Sequence, residues 1–295
     1  MTPTPFSKPH QTGCIIGEPN EVYHADPALS CSQLKVFANR PRLYKAQYID
    51  KTYQPKRSDA LDIGSALHDL VLLGRDHYTK SYAVAPHCDR RTNKGKEVWQ
   101  AFCDEANGKT VLKDEEAEQV ERMSEGIRSH IEASAILQGG MPEVTWRTPQ
   151  LKGLPIALQC RTDHLKEAAG FGYTVTDIKT VSSLEGFSKT IADYSYHMQA
   201  GFYLLTIAIV MGGNADLDSL FDYVDGWQFI AVEKQEPYEA AVFTLARHAI
   251  EQGAREALDC IKRLCGCINS GKWPMAYPDV RAIDLPAWYY TREVA

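Results

Sequence analysis

The sequence has no long apolar run. The longest, YLLTIAIVM at 203–211, is about half of a membrane span and predicts a buried helix. The N-terminal residues MTPTPFSKPHQTG are polar and lack the apolar stretch of a signal peptide. These two absences predict a cytoplasmic protein with no membrane partner. Its 295 residues, 44% of them hydrophobic and 24% charged, suffice to bury a substantial core.

Motifs for metal clusters and nucleotides are missing as well. The eight cysteines include no CxxC pair, and in such a chain they predict reduced thiols. Cys260, Cys265 and Cys267 have a C-x4-C-x-C spacing that fits neither zinc nor ferredoxin patterns. On a helix, Cys260 and Cys267 would share a face as small apolar residues do. We therefore expect no iron–sulfur cluster, and the sequence contains no G-x4-GK[ST] phosphate loop.

Positive charge is scarce overall but locally concentrated. With 32 basic and 38 acidic residues the net charge is −6, which argues against coating nucleic acid through bulk positive charge. One basic stretch contains Lys35, Arg40, Arg42, Lys45, Lys51, Lys56 and Arg57 against the single acid Asp50. A second, DRRTNKGK at 89–96, contains Arg90, Arg91, Asn93, Lys94 and Lys96. Both stretches predict a basic surface for a nucleic-acid backbone, and the alternative is a solvated charged face.

The periodicity changes from helix to strand near the middle of the chain. Segments 29–49, 60–74 and 113–134 have helical spacing, the first up to Pro41 and the second ending at Gly74. Strands are predicted over 143–149, 154–167, 171–180 and 227–235, with a helix at about 185–211 and a long helix from Pro237 to Gly271. The pattern predicts an α/β fold with a mixed central sheet flanked by helices and a helical N-terminal elaboration.

One predicted strand, YTVTDIKT at 173–180, directs an acid and an amine to the same face. Asp177 and Lys179 are two residues apart, so their side chains point the same way. A hairpin turning near Gly170 pairs residues whose numbers sum to about 340, which places Asp163 opposite Asp177. Two carboxylates at that distance repel unless a cation such as Mg²⁺ lies between them. The alternative is an ordinary Asp–Lys pair on a partly exposed hairpin.

Four further residues could belong to the same site. Glu143 opens the preceding strand and could add a third carboxylate. His68 follows Gly64, Ser65 and Ala66, small residues that permit close approach to a sheet, although a histidine on an apolar helix is often a core residue. Gln199 and Tyr203 are four apart and share a helix face, and they could instead be the polar edges of a buried helix.

In this order the motifs resemble the RecB-like branch of the PD-(D/E)XK nucleases, and within it the RecE-type nuclease domain of the prophage exodeoxyribonuclease VIII. The resemblance spans nearly the whole chain. It rests on YHADPALSCSQL, GSALH, RRTNKGKE, CRTDHL, DIKT, YSYHMQAGFY and a closing W-P…LPAW. It implies a restriction-endonuclease-like core and metal-assisted hydrolysis of phosphodiesters.

The resemblance also implies roles for individual residues. Asp163, Asp177 and the backbone carbonyl of Ile178 would bind Mg²⁺, or Mn²⁺ in its place, with His68 and Glu143 at a second metal position, Lys179 as the catalytic lysine, and Gln199 and Tyr203 bracing the site. Such enzymes degrade linear double-stranded DNA from 5′ ends and leave 3′ tails for a RecT-type annealing partner. They form tetrameric rings around DNA and act processively without ATP, so we expect a homotetramer that needs no ATP.

The sequence departs from the wider branch at one position. Iron–sulfur relatives have a cysteine before the proline that follows the first helix, whereas here Arg40 precedes Pro41. We predict a flexible tail over 1–16 and a single nuclease domain over 17–295. Within it, 17–135 would be the helical DNA-contacting part, 136–235 the catalytic sheet core and 236–295 the C-terminal helix and tail. Two alternatives stay open, an inactive DNA-binding or recombination accessory module and a structure-specific endonuclease.

Overall fold

The computed structural model describes residue 9 and residues 11–55, 59–150, 156–170 and 172–290. Several predicted features lie outside these ranges: most of the tail before residue 11, the start of the strand predicted from 154, and the basic residues Lys56 and Arg57. No helix within the described ranges is long and apolar enough to cross a membrane.

Helices and strands alternate along the described chain. The helices are α1 (Asn20–Ala25), α2 (Cys31–Asn39), α3 (Pro41–Tyr44), α4 (Asp59–His68), α5 (Arg75–Ser81), α6 (Asn93–Glu105), α7 (Asp114–Ser129), α8 (Ile131–Leu137), α9 (Phe187–Asp193), α10 (Tyr196–Val210), α11 (Arg247–Ser270) and α12 (Ala287–Tyr290). The strands are β1 (Gly13–Ile15), β2 (Leu29–Ser30), β3 (Tyr82–Val84), β4 (Thr110–Leu112), β5 (Met141–Arg147), β6 (Leu158–Glu167), β7 (Tyr173–Val181), β8 (Val224–Glu233) and β9 (Ala240–Thr244). Two π-helical turns, Lys45–Ile49 and Asp69–Leu73, continue α3 and α4.

A mixed sheet of seven strands forms the centre of the molecule. Its order is β1-β5-β6-β7-β8-β9, with β2 pairing to β6, and β3 and β4 form a separate small sheet. The β7–β8 and β2–β6 pairs are parallel, while the remaining neighbours in the large sheet are antiparallel. This mixed sheet with helices on it confirms the predicted fold class.

The β6–β7 hairpin has the register predicted from the sequence. His164 pairs with Thr176 and Leu165 with Val175, so the residue numbers sum to 340. The pairing begins at His164, one residue after Asp163. Before His164 in the sequence β6 is no longer paired with β7, and at Leu158 it pairs instead with β2. The loss of pairing opens a gap in the sheet beside Asp163 and Asp177.

Two apolar clusters cover the two faces of the sheet. On one face, Val175 and Phe229 pack with residues of α2, α10 and α11. On the other face, Ile178 and Ile230 pack with residues of α4 and α7. Asp177 and Lys179 alternate with Ile178 along β7, so they belong to the face that α10 covers.

Helices α10 and α11 approach each other closely at two glycines, one on each helix. A Cβ atom placed on Gly253 would lie 1.9 Å from the His197 carbonyl oxygen, and one on Gly201 would lie 2.1 Å from the Ala254 amide nitrogen. Only glycine fits at either position. The close crossing holds the N-terminal half of α10, which contains Gln199, firmly against the rest of the fold.

Three predictions of secondary structure are wrong in part. The helix predicted from Pro237 begins only at Arg247, because Ala240–Thr244 form β9 and pair with the otherwise open edge of β8. The helix predicted over 185–211 is interrupted at Tyr194 and Ser195. Within the predicted tail, Gly13–Ile15 form β1 on the edge of β5.

Candidate metal and phosphate site

Asp163 lies in the gap between β6 and β7. Its Oδ2 atom accepts a hydrogen bond of 2.8 Å from the backbone amide of Ile178. Where two strands diverge, backbone amides lose their ladder partners and need another acceptor. The carboxylate supplies that acceptor, and the bond fixes its position at the level of Ile178, between the two faces of the sheet.

His68 approaches the same gap from the α4 side. It is the last residue of α4, directly before the π-helical turn Asp69–Leu73, a distortion that is often found at functional sites. Its Nε2 lies 3.1 Å from the carbonyl oxygen of Ile178, and its Nδ1 lies 3.4 Å from Asp163 Oδ2. A proton on Nε2 would be donated to that carbonyl, which leaves the Nδ1 lone pair directed at Asp163 and available to a metal ion.

Glu143 completes this cluster from β5. Neighbouring pairs Pro142–His164 and Val144–Thr162 place it across from Asp163, at an interruption of the β5–β6 ladder. Its φ of 52° is left-handed, which is uncommon for a residue with a side chain and is often found at functional positions. Burial and the charge of Asp163 raise the pKa of Glu143 to about 8, although Arg161 opposes the shift.

These three side chains are suited to a divalent cation. Among the described residues, His68, Glu143 and Asp163 form the one group whose ligand atoms all lie within 4.8 Å of one another. Carboxylate oxygens suit Mg²⁺ and Mn²⁺, and an imidazole nitrogen is accepted by Mn²⁺ and similar ions. The pKa of Glu143 is raised first by burial and then by the charge of Asp163, and a bound cation would offset both effects.

Asp177 is held by different partners. It is almost fully buried, and its Oδ1 accepts a hydrogen bond of 2.8 Å from Gln199 Nε2 on α10. Its Oδ2 forms an ion pair with Lys179. Burial and the charge of Asp163 both raise the pKa of Asp177, while Lys179 lowers it. Asp177 is therefore beside the three-residue cluster but outside it, and its predicted role as a metal ligand stays a prediction.

Lys179 is buried in an anionic environment. Burial alone would lower the pKa of Lys179, but the charges of Asp177 and Asp163 outweigh it and raise the pKa. The raised pKa favours the protonated form of the amine at neutral pH. A protonated amine donates hydrogen bonds to water or to phosphate oxygens rather than accepting a proton, which favours an orienting role for Lys179.

Three residues near this site were not predicted to belong to it. Tyr196 lies under Lys179, with 4.8 Å from the amine to the ring centroid, and Lys35 lies 5.3 Å from the same ring. Asp69 is near Glu143, with its Oδ2 accepting a bond of 3.0 Å from the Tyr82 hydroxyl. Tyr196 precedes Gln199 by three and shares its helix face, a signal that was present in the sequence. Lys35 was predicted only as part of the first basic stretch, and no signal pointed to Asp69.

The remaining predicted residues are more scattered. Tyr203 packs edge-on against Trp227 at 5.5 Å, so in the structure it braces α10 on the sheet. Arg42 donates to the Trp273 carbonyl, and Lys45 pairs with Asp50. Arg40 is exposed at the end of α2. The Ile178 carbonyl faces His68 rather than Asp163, and its role as a metal ligand also stays a prediction.

The second basic stretch forms the start of α6. Thr92 caps this helix through a 3.0 Å bond from the Gly95 amide to its hydroxyl, and Asn93 and Lys94 are exposed in the first turn. The guanidinium of Arg90 stacks on Trp99, 3.2 Å from the ring centroid. Arg91, also exposed, pairs with Asp89. Exposed basic groups around a helix start are typical of backbone phosphate contacts.

A solved structure of another protein shares the fold. A crystal structure from Eubacterium rectale described as a "Putative exonuclease" matches with a TM-score of 0.59 at 13% identity, covering 95% of this chain and all of the other. A structure of the protein SSO0001 matches with a TM-score of only 0.30 at 15% identity, covering 73% of this chain and 89% of the other, too low to support an argument. A comparison with curated proteins gave no match.

A family model matches residues 30–283, which include every residue of the site described above. The family match and the shared fold together confirm the PD-(D/E)XK resemblance. They are consistent with the RecE type and support a nuclease. The chain belongs to the family described as a PDDEXK-like domain of unknown function (DUF3799).

Proposed function

We propose that this protein is a Mg²⁺-dependent, ATP-independent exodeoxyribonuclease that degrades linear double-stranded DNA. The observation that carries the proposal is the convergence of His68, Glu143 and Asp163 at the gap between β6 and β7, with Asp177 and Lys179 directly beside them. Acids, an imidazole and an amine in one gap provide the donors for a divalent ion and a phosphate group.

The residues of the chain would divide the work between them. Asp163 and Glu143 would supply carboxylate oxygens at the gap, with His68 oriented by the Ile178 carbonyl. Asp177, fixed by Gln199, would join them as a ligand. Lys179 would orient the attacking water or a phosphate oxygen, since the protonated form of its amine is favoured beside Asp177. A bound Mg²⁺ ion supplies the Lewis acid that polarises the phosphate and lowers the pKa of water.

DNA contacts would come from the exposed basic residues. Arg90, Arg91, Asn93 and Lys94 lie at the start of α6, and Arg40 lies at the end of α2. Such residues neutralise phosphates without reading bases, so binding would be independent of sequence and would weaken with salt. The overall charge of −6 restricts this affinity to local surfaces.

The finer parts of the proposal come from the RecE-type resemblance. We propose digestion from 5′ ends that leaves 3′ tails, a RecT-type annealing partner, a tetrameric ring and a cytoplasmic location. Support for assembly comes from the exposed apolar side chains of the C-terminal segment, among them Val280 and Ile283. The thiols in the described ranges are all free, which fits a reducing compartment.

The test is digestion of linear and covalently closed circular duplex of the same sequence, with Mg²⁺ and without ATP. We expect the linear form to be consumed, the circle to remain, and EDTA to stop the reaction. Separate labels at the 5′ and 3′ ends then give the polarity. Nicking of the circle would instead show the endonuclease, and binding of DNA without cleavage would show the inactive accessory module.

A further inference from the structure

Two tyrosines stack on each other at the start of α10. The rings of Tyr194 and Tyr196 lie 5.8 Å apart between centroids with an interplanar angle of 20°. Ser195 between them has a left-handed φ of 52°, a conformation that is uncommon for serine. The turn at Ser195 therefore holds the two rings side by side, at the point where the predicted continuous helix is interrupted.

One end of this tyrosine pair reaches the candidate site. Tyr196 is half-buried, and the Lys179 amine lies over its ring at 4.8 Å. The Lys35 amine lies 5.3 Å from the same ring and donates a 2.9 Å hydrogen bond to the backbone carbonyl of Tyr194. Two cations thus contact one aromatic ring, and one of them also fixes the turn.

The other end of the pair is open. The side chain of Tyr194 is 64% exposed, although its ring rests on Tyr196. An exposed tyrosine alone is ordinary on a protein surface. Here the turn at Ser195 and the Lys35 amine hold the exposed ring of Tyr194 in place. The ring of Tyr196 beneath it contacts the Lys179 amine. This arrangement gives a preformed, flat, apolar surface beside the place where phosphate would bind.

We propose that Tyr194 and Tyr196 form a base-stacking site for the nucleotide next to the scissile phosphate, with Lys35 beside its backbone. The proposal rests on the proposed nuclease function and adds the way in which the site holds its substrate. Every base has a π-face, so such a site would accept all sequences. A base that is stacked on both sides within the duplex can reach Tyr194 only after it leaves its partner, so the site would favour a frayed or mismatched end.

The test compares Tyr194→Ala and Tyr194→Phe on duplexes with a normal or an abasic nucleotide at the cleaved end. Removing a stacking ring costs about 5- to 150-fold per base, and we expect kcat/KM of Tyr194→Ala to fall within this range on normal DNA. Tyr194→Phe keeps the ring and should retain wild-type activity. On abasic DNA the Ala variant should match the wild type, because no base remains to stack. Tyr277→Ala, at another exposed tyrosine (73%), is the control and should leave kcat/KM on both substrates unchanged.

A second readout needs no cleavage. With 2-aminopurine as the terminal base and EDTA present, binding of the wild type should quench the fluorescence by stacking, and Tyr194→Ala should not quench it. An equal loss of activity on normal and abasic DNA, or equal quenching by both proteins, would overturn the stacking site. If the wild type cleaves no DNA, the nuclease proposal fails, and the quenching experiment still decides whether the stack exists.

Discussion

The carboxylate of Asp163 accepts a hydrogen bond from the amide of Ile178, 2.8 Å away on the neighbouring strand. This side chain replaces the strand-to-strand bonding that ends at His164. Since the Ile178 carbonyl faces His68, one peptide segment orients two of the three groups that could bind a cation. The gap between β6 and β7 is thus both the interruption of the sheet and the frame of the site.

Gln199 should affect activity through Asp177. Its Nε2 donates to Asp177 Oδ1, so Gln199→Leu would leave a buried carboxylate oxygen without its donor. Loss of such a supporting hydrogen bond typically lowers metal affinity or activity 10- to 100-fold, and we expect kcat/KM on linear duplex to fall by about that factor. Gln252→Leu, which removes an exposed bond to Glu256, is the control. An unchanged kcat/KM for Gln199→Leu would show that Asp177 needs no orientation.

Exposed basic residues at the start of α6 should govern the salt dependence of DNA binding. Each of Arg91→Ala and Lys94→Ala is expected to weaken binding of all sequences equally and to reduce the slope of log K against log salt by about 1. Titrations at several salt concentrations, with EDTA to prevent cleavage, measure this slope. Lys262→Ala, at an exposed lysine on α11, should leave it unchanged. A slope unaffected by both α6 variants would place the DNA elsewhere.

The α10–α11 crossing should tolerate no side chain. Gly253→Ala would place a Cβ atom 1.9 Å from the His197 carbonyl, so we expect a loss of roughly 1–3 kcal/mol in the free energy of unfolding. Gly266→Ala, on the same helix but with open space around it, should instead stabilise by about 0.5–1 kcal/mol. Urea denaturation of both variants measures these opposite effects. A neutral Gly253→Ala would mean that the two helices are farther apart.

A buried ion pair should make stability depend on pH. Arg147 is fully buried and its guanidinium donates 2.9 and 3.1 Å bonds to the two oxygens of Glu18. Burial alone would raise the pKa of Glu18, but the bonds and charges of Arg147 and Arg161 outweigh it and lower the pKa. Because the pKa of Glu18 is lower in the folded state, its ionised carboxylate stabilises the fold fully above the ordinary glutamate pKa of about 4.3. This stabilisation is lost as the pH falls below that value.

Glu18→Gln tests this pair. Removing one partner of a buried pair costs roughly 3–5 kcal/mol, and we expect a loss of this order near pH 7. The difference from the wild type should shrink as the pH falls below about 4.3, because Glu18 is then protonated first in the unfolded state and only at lower pH, below its lowered pKa, in the folded state. Thermal unfolding between pH 3 and pH 7 measures it. A difference that stays constant over this range would contradict the charged state of Glu18.

The sequence predicted those parts of the fold that follow from local periodicity. Alternation along 158–181 and the turn near Gly170 were enough to give the β6–β7 register, and hence the neighbourhood of Asp163 and Asp177. Helical spacing placed Gln199 on the face that meets Asp177. In each case the period of the element decides which side chains share a face.

Tertiary contacts decided the parts that were missed. Ala240–Thr244 has alanines that favour helix, but the open edge of β8 makes it a strand. The left-handed Glu143 and the break at Ser195 depend on neighbours distant in sequence. Lys35 reaches the carbonyl of Tyr194 from α2, 159 residues away, and no local pattern marks such a contact.

The most direct measurement for the central claim is the activity of Asp177→Asn on linear duplex with Mg²⁺. Asparagine has the same shape and can still accept from Gln199, so the fold should be retained, as checked by circular dichroism. The account predicts that cleavage by this variant falls to the level seen with EDTA, because the carboxylate that Asp177 would contribute to metal binding is gone. Cleavage at the wild-type rate by a folded Asp177→Asn protein would contradict it.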